Sequence, residues 1–271
     1  MGRKAGWWDN TWNPVAGCKA VSEGCLNCYA ATQAATLHVE RRIWLYEALT
    51  RWLRGRPIFN GRRKVLPPWH PAWRWPLTWK GDTHPNLGPG QPSLIFVCDM
   101  CDLFYHERPV IDRVVRTVAH SPHIGLIQTR YAGAMAGYFR QPTVDRMKGW
   151  RRKFWLGFSA ENQKWFDARW RRMRPLAEAG WLVYVVVAPM LGPVRLPADF
   201  LAFGGRVWVI VSGERHRDHH GRPPRPMDSN WARALRDQCR EAGTPYFFNQ
   251  MSGLAQIPED LRIWEFPEVV K

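Results

Sequence analysis

The chain lacks any apolar run that approaches the ~18 residues of a membrane span. Its start, Met-Gly-Arg-Lys-Ala-Gly-Trp-Trp, carries no signal-type apolar stretch. Both absences read as a cytoplasmic protein without a membrane partner. Cysteine is scarce as well. Six thiols in 271 residues are too few for a disulfide scaffold, and clustered cysteines in a reducing compartment serve as ligands or catalysts rather than bridges. Acidic residues are outnumbered 23 to 39 by lysine and arginine, leaving a net charge of +16. Coding bias alone can enrich arginine, but such a balance suits a polyanion, because neutralising phosphates releases counterions. Nucleic acid is therefore the expected partner or substrate.

What cysteine there is falls in clusters. Cys18, Cys25 and Cys28 stand in the run Gly17-Cys18-Lys-Ala-Val-Ser-Glu-Gly-Cys25-Leu-Asn-Cys28-Tyr29, a C-x6-C-x2-C pattern. Three thiolates are one short of the four that close a structural zinc or an ordinary iron–sulfur site. Two completions stand open. Zinc would take His38 or a distant cysteine as fourth ligand, whereas a [4Fe–4S] cluster would keep one iron free to bind a cofactor.

After the cysteines, Tyr29 to about Leu53 reads as a helix stopped by Gly55. Residues 57–92 read as an irregular insertion, a surface excursion or lid, with seven prolines from Pro67 to Pro92 among Trp69, Trp73, Trp75 and Trp79. Beyond it, apolar runs at Leu94–Cys98, Ile124–Gln128, Phe154–Phe158, Leu182–Val187, Val207–Val211 and Tyr246–Phe248 alternate with amphipathic segments. One helix face gathers Ile111, Val114, Val115 and Val118; others gather Phe166, Trp170 and Met173, then Trp231, Leu235 and Cys239. The expectation is an α/β fold, a partial (β/α)6 TIM-type barrel forming one domain over 1–271 with the Pro/Trp-rich insertion.

In such folds chemistry collects at the carboxyl ends of the strands. Those ends carry Cys98, Asp99, Cys101 and Asp102; Thr129 and Arg130; Ser159, Glu161 and Asn162; Pro189 and Met190; Ser212, Gly213 and Glu214; Asn249 and Gln250. Polar residues also open ordinary loops, so the recurrence across strands weighs more than any one member.

Trp12-Asn13-Pro14-Val15-Ala16-Gly17-Cys18 and Gly24-Cys25-Leu26-Asn27-Cys28-Tyr29-Ala30 resemble the opening of the phage-associated three-cysteine-motif proteins, relatives of radical S-adenosylmethionine (SAM) enzymes. The resemblance continues through Asp102-Leu103-Phe104, Thr129-Arg130, Trp155–Gln163, Leu191-Gly192-Pro193-Val194, Val209–Glu214, Arg225-Pro226-Met227 and Trp231–Phe248. It implies a [4Fe–4S] cluster on Cys18, Cys25 and Cys28, with SAM on the open iron. It also implies cleavage to a 5′-deoxyadenosyl radical that takes hydrogen from substrate, with electrons from a donor such as flavodoxin or ferredoxin. Ser159, Glu161 and Asn162 then resemble a ribose- or carboxylate-binding strand end, and Ser212-Gly213-Glu214 a contact for the methionine part of SAM. Thr129 and Arg130 join them as cofactor candidates. The chain departs from its relatives at Val186-Val187-Ala188-Pro189, where they carry Ser-x-Glu-Pro, and at Arg130 and Asn249, where they carry lysine.

Cys98, Cys101 and Asp102 are the catalytic candidates. The two thiols could donate hydrogen to a substrate radical, ligate a second metal or simply fill space, and Asp102 could hold a ligand or cap a helix. Cys239 reads as core. Arg215, Arg217, Arg222 and Arg225 could track a phosphate backbone, and Trp73 and Trp75 could stack on bases. The leading expectation is a radical SAM enzyme that modifies, rearranges or repairs a nucleic-acid base, with phage DNA in host cytoplasm favoured. The alternatives are a zinc-stabilised, non-enzymatic nucleic-acid-binding protein and a radical SAM enzyme acting on a peptide or small metabolite.

Overall fold

Runs of Val, Ile, Leu and Phe without polar alternation fold as strands covered on both faces. In the computed structural model, which describes residues 6–83, 85–215 and 223–268, all six such runs are strands. Two compact units, Met1–Gln128 and Thr129–Lys271, divide the chain.

In the first unit, β1 (Asn10–Trp12) and β2 (Val15–Ala16) lead into the cysteine loop, and α1 (Tyr29–Arg41) leaves it. A hairpin of β3 (Thr50–Leu53) and β4 (Arg56–Phe59) follows, then β5 (Lys64–Val65), antiparallel to β2, and the short α2 (Trp75–Thr78). β6 (Leu94–Val97), α3 (Arg108–Ala119) and β7 (Ile124–Thr129) complete it. β6 runs parallel to β1 on one side and to β7 on the other, with Phe96 opposite Thr11 and Leu126. On α3, Pro109 occupies the first turn, where its missing N–H costs nothing, and Ile111, Val114, Val115 and Val118 are buried as their spacing predicts.

The second unit contains α4 (Ala132–Phe139), α5 (Pro142–Asp145), β8 (Phe154–Ser159), α6 (Gln163–Glu178), β9 (Leu182–Val187), α7 (Ala198–Leu201), β10 (Val207–Ser212), α8 (Ser229–Glu241) and β11 (Tyr246–Gln250). β8, β9, β10 and β11 are parallel neighbours, with Phe158, Val185, Val209 and Tyr246 in register. Phe166, Trp170 and Met173 bury the inner face of α6, and Trp170 meets Phe200 of α7 edge to face at 4.9 Å. Cys239 is fully buried on α8 beside Leu235, a core position as expected, whereas Trp231 of the same expected stripe is only half-buried.

The fold is α/β, with the strand order β1-β6-β7-β8-β9-β10-β11 of a partial TIM-type barrel. Among the described residues, no helix is long and apolar enough to cross a membrane.

One expectation is corrected. The helix from Tyr29 does not reach Leu53. It closes at Arg42, whose left-handed backbone (φ 49°) lets the N–H groups of Arg42 and Ile43 return to the carbonyls of His38 and Leu37. The insertion expected at 57–92 is ordered where it begins. Its first ten residues hold most of β4 and all of β5, β5 pairing with β2 just ahead of the cysteine loop and Asn60 bridging Lys19.

Gly157 of β8 stands opposite Tyr184 of β9, and a β-carbon there would lie 2.1 Å from the Tyr184 ring. Gly157→Ala is therefore expected to lower unfolding free energy by about 1–3 kcal/mol through overpacking. Denaturant titration of Gly157→Ala in the parent and in a Tyr184→Ala background checks this, and an equal cost in both would remove the ring as the cause.

Candidate functional site

The cysteine loop starts at the carboxyl end of β1. Trp12 is buried there, donating its indole N–H to the Ala72 carbonyl at 2.8 Å and meeting Trp73 edge to face. Asn13 accepts from the Met100 N–H (3.2 Å) and donates to Asp99 (2.5 Å), so it ties the loop to the turn that follows β6. Gly17 has φ 97°, and a β-carbon on it would stand 2.2 Å from the Arg62 carbonyl. Only glycine supplies both the backbone conformation and the close approach. One residue on, the Cys18 carbonyl accepts the Gly61 N–H at 3.1 Å, Lys19 bridges Asn60, and Leu66 donates to Pro14. The insertion thus fixes the first ligand position through its backbone.

Cys25 is buried in a short 3-10 helix, Glu23–Asn27, with its sulfur 3.7 Å from the Ser22 hydroxyl. Cys28 caps α1, its carbonyl accepting from both the N–H and hydroxyl of Thr32. A helix N-terminus favours an anionic thiolate at that position.

A second thiol pair adjoins this loop. Cys98 follows β6 with a left-handed backbone (φ 61°), uncommon and costly for a residue with a β-carbon. Its N–H donates to Trp12 and its carbonyl accepts the Cys101 N–H at 3.1 Å, closing a turn over Asp99 and Met100. Cys101 in turn bridges Gly17. Burial, followed by the neighbouring thiols Cys98 and Cys18 and the Asp102 carboxyl, holds the Cys101 thiol well above the ordinary thiol range. Burial also raises the Asp99 carboxyl, against the Asn13 hydrogen bond. The same group of acids reaches Tyr46, whose hydroxyl is pushed up to about 12 by burial, then by Asp99, Cys101 and Cys98. Asp102 itself is buried and accepts the Phe104 N–H at 3.1 Å, so the catalytic candidate is spent as a cap.

His106 closes this wall of the site, and no sequence pattern singled it out. It is 7% exposed, and its Nε2 has no hydrogen-bond partner. Burial and then the Arg63 guanidinium depress its pKa to about 4, while the Gly17 carbonyl pulls the other way. Arg63 is itself engaged by Glu107 at 3.0 Å and by the Tyr105 carbonyl, and Tyr105 donates its hydroxyl to Gly61.

Among the described residues, no three His, Cys, Asp or Glu side chains close round a single ion. Tetrahedral zinc, with Zn–S near 2.3 Å, needs thiolates only ~4 Å apart. In a cluster each thiolate binds a different iron, so the three must converge as well but at wider spacing. His38, the zinc reading's named fourth ligand, lies on α1 ten residues beyond Cys28, about 15 Å along the axis at 1.5 Å per residue. The three thiols match the donor chemistry of a three-cysteine cluster, and a zinc site would have to draw its fourth thiol from Cys98 or Cys101 beside the loop.

In the second unit the strand-end candidates are knit to one another. Glu161 is fully buried, one oxygen accepting Arg130 at 3.1 Å and the other Arg169 at 2.9 Å. Arg169 also bonds the Ser159 carbonyl and lies over the Trp165 ring. Asn162 caps α6 by accepting the Trp165 N–H, and Thr129 accepts the Tyr131 N–H. Ser212 accepts from Asn249 at 3.3 Å. Gly213 is a glycine because a β-carbon would fall 2.2 Å from the Ser252 nitrogen. Glu214 is buried and takes both the backbone N–H and the guanidinium of Arg225. Arg225 is therefore committed to a carboxylate rather than offered to phosphate.

Of the other nucleic-acid candidates, Arg215 is exposed, while Arg217 and Arg222 lie outside the described residues. Trp73 is corrected from base platform to core: it is 3% exposed, its N–H shared by the Leu66 and Pro67 carbonyls, with Arg113 over its ring at 3.9 Å. Trp75 stacks on Trp79 at 5.3 Å, and Trp69, 84% exposed, is the most solvent-facing aromatic of the insertion.

A profile of the family described as "Protein of unknown function (DUF5131)" matches residues 3–260. No curated protein matches the sequence. Among solved structures, a spore photoproduct lyase mutant with dinucleoside spore photoproduct shares the fold at TM-score 0.50 and 12% identity, over 88% of this chain and 76% of that one. A second mutant of the lyase gives TM-score 0.49 at 12% identity, over 90% and 77%. A third, with bound AdoMet and dinucleoside spore photoproduct, gives 0.45 at 12% identity; this chain covers 62% of it, less than two thirds of its length.

Burial of a neutral His106 has a pH signature. The unfolded chain binds a proton at this residue below the ordinary value of 6.5, and the folded chain only near 4. Acidification across that window should therefore cost the apo chain about 2–3 kcal/mol, a loss absent above it. The difference between parent and His106→Gln in denaturant midpoints from pH 7 to pH 4 measures this. Parallel profiles would show that the imidazole is not the group responsible.

Proposed function

The chain belongs to the family described as "Protein of unknown function (DUF5131)", and we propose that it is a radical SAM enzyme acting on a nucleic-acid base. The observation that carries this reading is the three-thiol loop: Cys18 pinned by the insertion, Cys25 in its 3-10 turn and Cys28 at the start of α1. These three thiolates would hold a [4Fe–4S] cluster. With SAM bound, that group supplies one-electron cleavage to methionine and a 5′-deoxyadenosyl radical, fed by a flavodoxin- or ferredoxin-type donor.

The chain's own residues supply position, charge and hydrogen. Thr129, Ser159, Asn162, Ser212 and Gly213 shape the strand ends that receive SAM. Glu161 and Glu214 act there through the arginines they hold, Arg130 and Arg225. Cys101 serves as hydrogen donor to a substrate radical. Its thiol, held well above the ordinary range, keeps at neutral pH the hydrogen it would donate. The net charge of +16 supports a phosphate-bearing substrate, DNA in preference to RNA. The fold shared with a lyase bound to a dinucleoside photoproduct points the same way. Arg215 meets the backbone, and Trp69 and Trp75 offer stacking faces. Modification or repair of phage DNA is the biological setting we favour.

Anaerobic reconstitution with iron and sulfide should give a brown protein that releases 5′-deoxyadenosine from SAM under strong reductant. Cys18→Ala, Cys25→Ala and Cys28→Ala should each fall to background. A colourless zinc protein, or a fully loaded cluster that leaves SAM intact, would sink the reading. Binding to a DNA oligonucleotide should weaken steeply with salt, and Arg215→Ala should reduce the log–log slope by about 0.9. Salt-independent binding would redirect the search to a peptide or small metabolite.

A further inference from the structure

Cys98 and Cys101 form a C-x2-C pair whose backbone is already folded for a covalent link. The Cys101 N–H bonds the Cys98 carbonyl at 3.1 Å, the hydrogen bond of a tight turn, which brings its first and fourth α-carbons within ~7 Å. A disulfide spans α-carbons up to ~6.8 Å apart. The two ends of the turn are anchored independently. Cys98 is held through its N–H by Trp12, and Cys101 is held by its bridge to Gly17. Asn13 grips the two residues between them, accepting from Met100 and donating to Asp99. Both thiols are free, Cys98 buried and Cys101 partly accessible. An entry order follows from that asymmetry.

We propose that Cys98 and Cys101 are a redox couple, dithiol in the working enzyme and an intramolecular disulfide under oxidising conditions. The oxidant is a low-molecular-weight disulfide. Cys101, the accessible member, attacks it, forming a mixed disulfide and expelling one thiol. Cys98 then attacks the Cys101 sulfur, the Cys98–Cys101 bond forms, and the second small thiol leaves. Each protein thiol gives up one proton and each released thiolate takes one, so the sum is dithiol plus small disulfide to protein disulfide plus two small thiols.

Formation of the bond removes both S–H groups beside the cysteine loop, so the couple is a reversible off-state for hydrogen donation. Only that consequence rests on the radical reading. The couple itself rests on the turn, and its test uses no SAM.

The full-length apo chain is equilibrated anaerobically in glutathione buffers of graded ratio, quenched, alkylated and digested with trypsin. The segment from Gly81 to Arg113 carries both residues and no other cysteine. The expected result is a transition from the doubly alkylated peptide to an unlabelled one lighter by two hydrogens, reversed by dithiothreitol, with the slope of a two-electron couple. Cys101→Ser, checked by circular dichroism, should leave Cys98 alkylatable at every ratio. Should that variant not fold, Cys98→Ser carries the same expectation for Cys101, which then takes alkyl or glutathione. Double alkylation at every ratio would overturn the couple. So would separate glutathione adducts on each thiol, or oxidation that links either one to Cys18.

Discussion

The structure of the first unit hangs on one backbone contact, the approach of Gly17 and Cys18 to Arg62 and Gly61. It requires a residue without a β-carbon at position 17, because the Arg62 carbonyl occupies that space. It also needs the Gly61 N–H to meet the Cys18 carbonyl. A loop bearing several thiolates repels itself and has few backbone partners of its own. Pinning Cys18 through main-chain hydrogen bonds narrows the conformations open to that part of the loop. The same insertion residues reach the other wall, Tyr105 donating to Gly61 and Arg63 to the Tyr105 carbonyl. One short segment therefore sets the cysteine loop and the wall behind it.

That wall gathers titratable groups whose charged forms burial disfavours. Burial, then Asp99, Cys101 and Cys98, raises the Tyr46 hydroxyl; burial raises the Cys101 thiol and the Asp99 carboxyl and keeps His106 uncharged. The second unit handles charge in the opposite way. Glu161 and Glu214 stay ionised in the interior because arginines meet each of them with hydrogen bonds as well as charge. Removing one partner from such a buried set costs more than the set contributes, since it strands the other charge. Those carboxylates are better regarded as holders of arginine than as ligand contacts.

Much of this was legible from residue order alone. The six apolar runs became strands within two residues of their expected ends, since a strand buried on both faces needs an unbroken apolar sequence. The faces of α3 and α6 followed from 3.6-residue spacing for the same reason. β1 was not legible: three residues, Asn10-Thr11-Trp12, carry no periodicity, and only pairing with β6 makes them a strand. The tryptophans misled because their composition is the same whether they stack on bases or, like Trp73, fill a core under Arg113.

The sequence by itself determined the α/β class, the three-thiol motif and the set of polar strand ends, because each is a local pattern that survives in any context. Tertiary structure alone decided which of those groups are free. It committed Asp102 and Asn162 to caps, Glu214 to Arg225, and Glu161 to two arginines. It also brought Tyr46 to Cys98 and Cys101, and Arg63 and Gly17 to His106, from distant parts of the chain. Burial and partner distance set a side chain's charge and availability, and neither quantity exists until the chain has closed on itself.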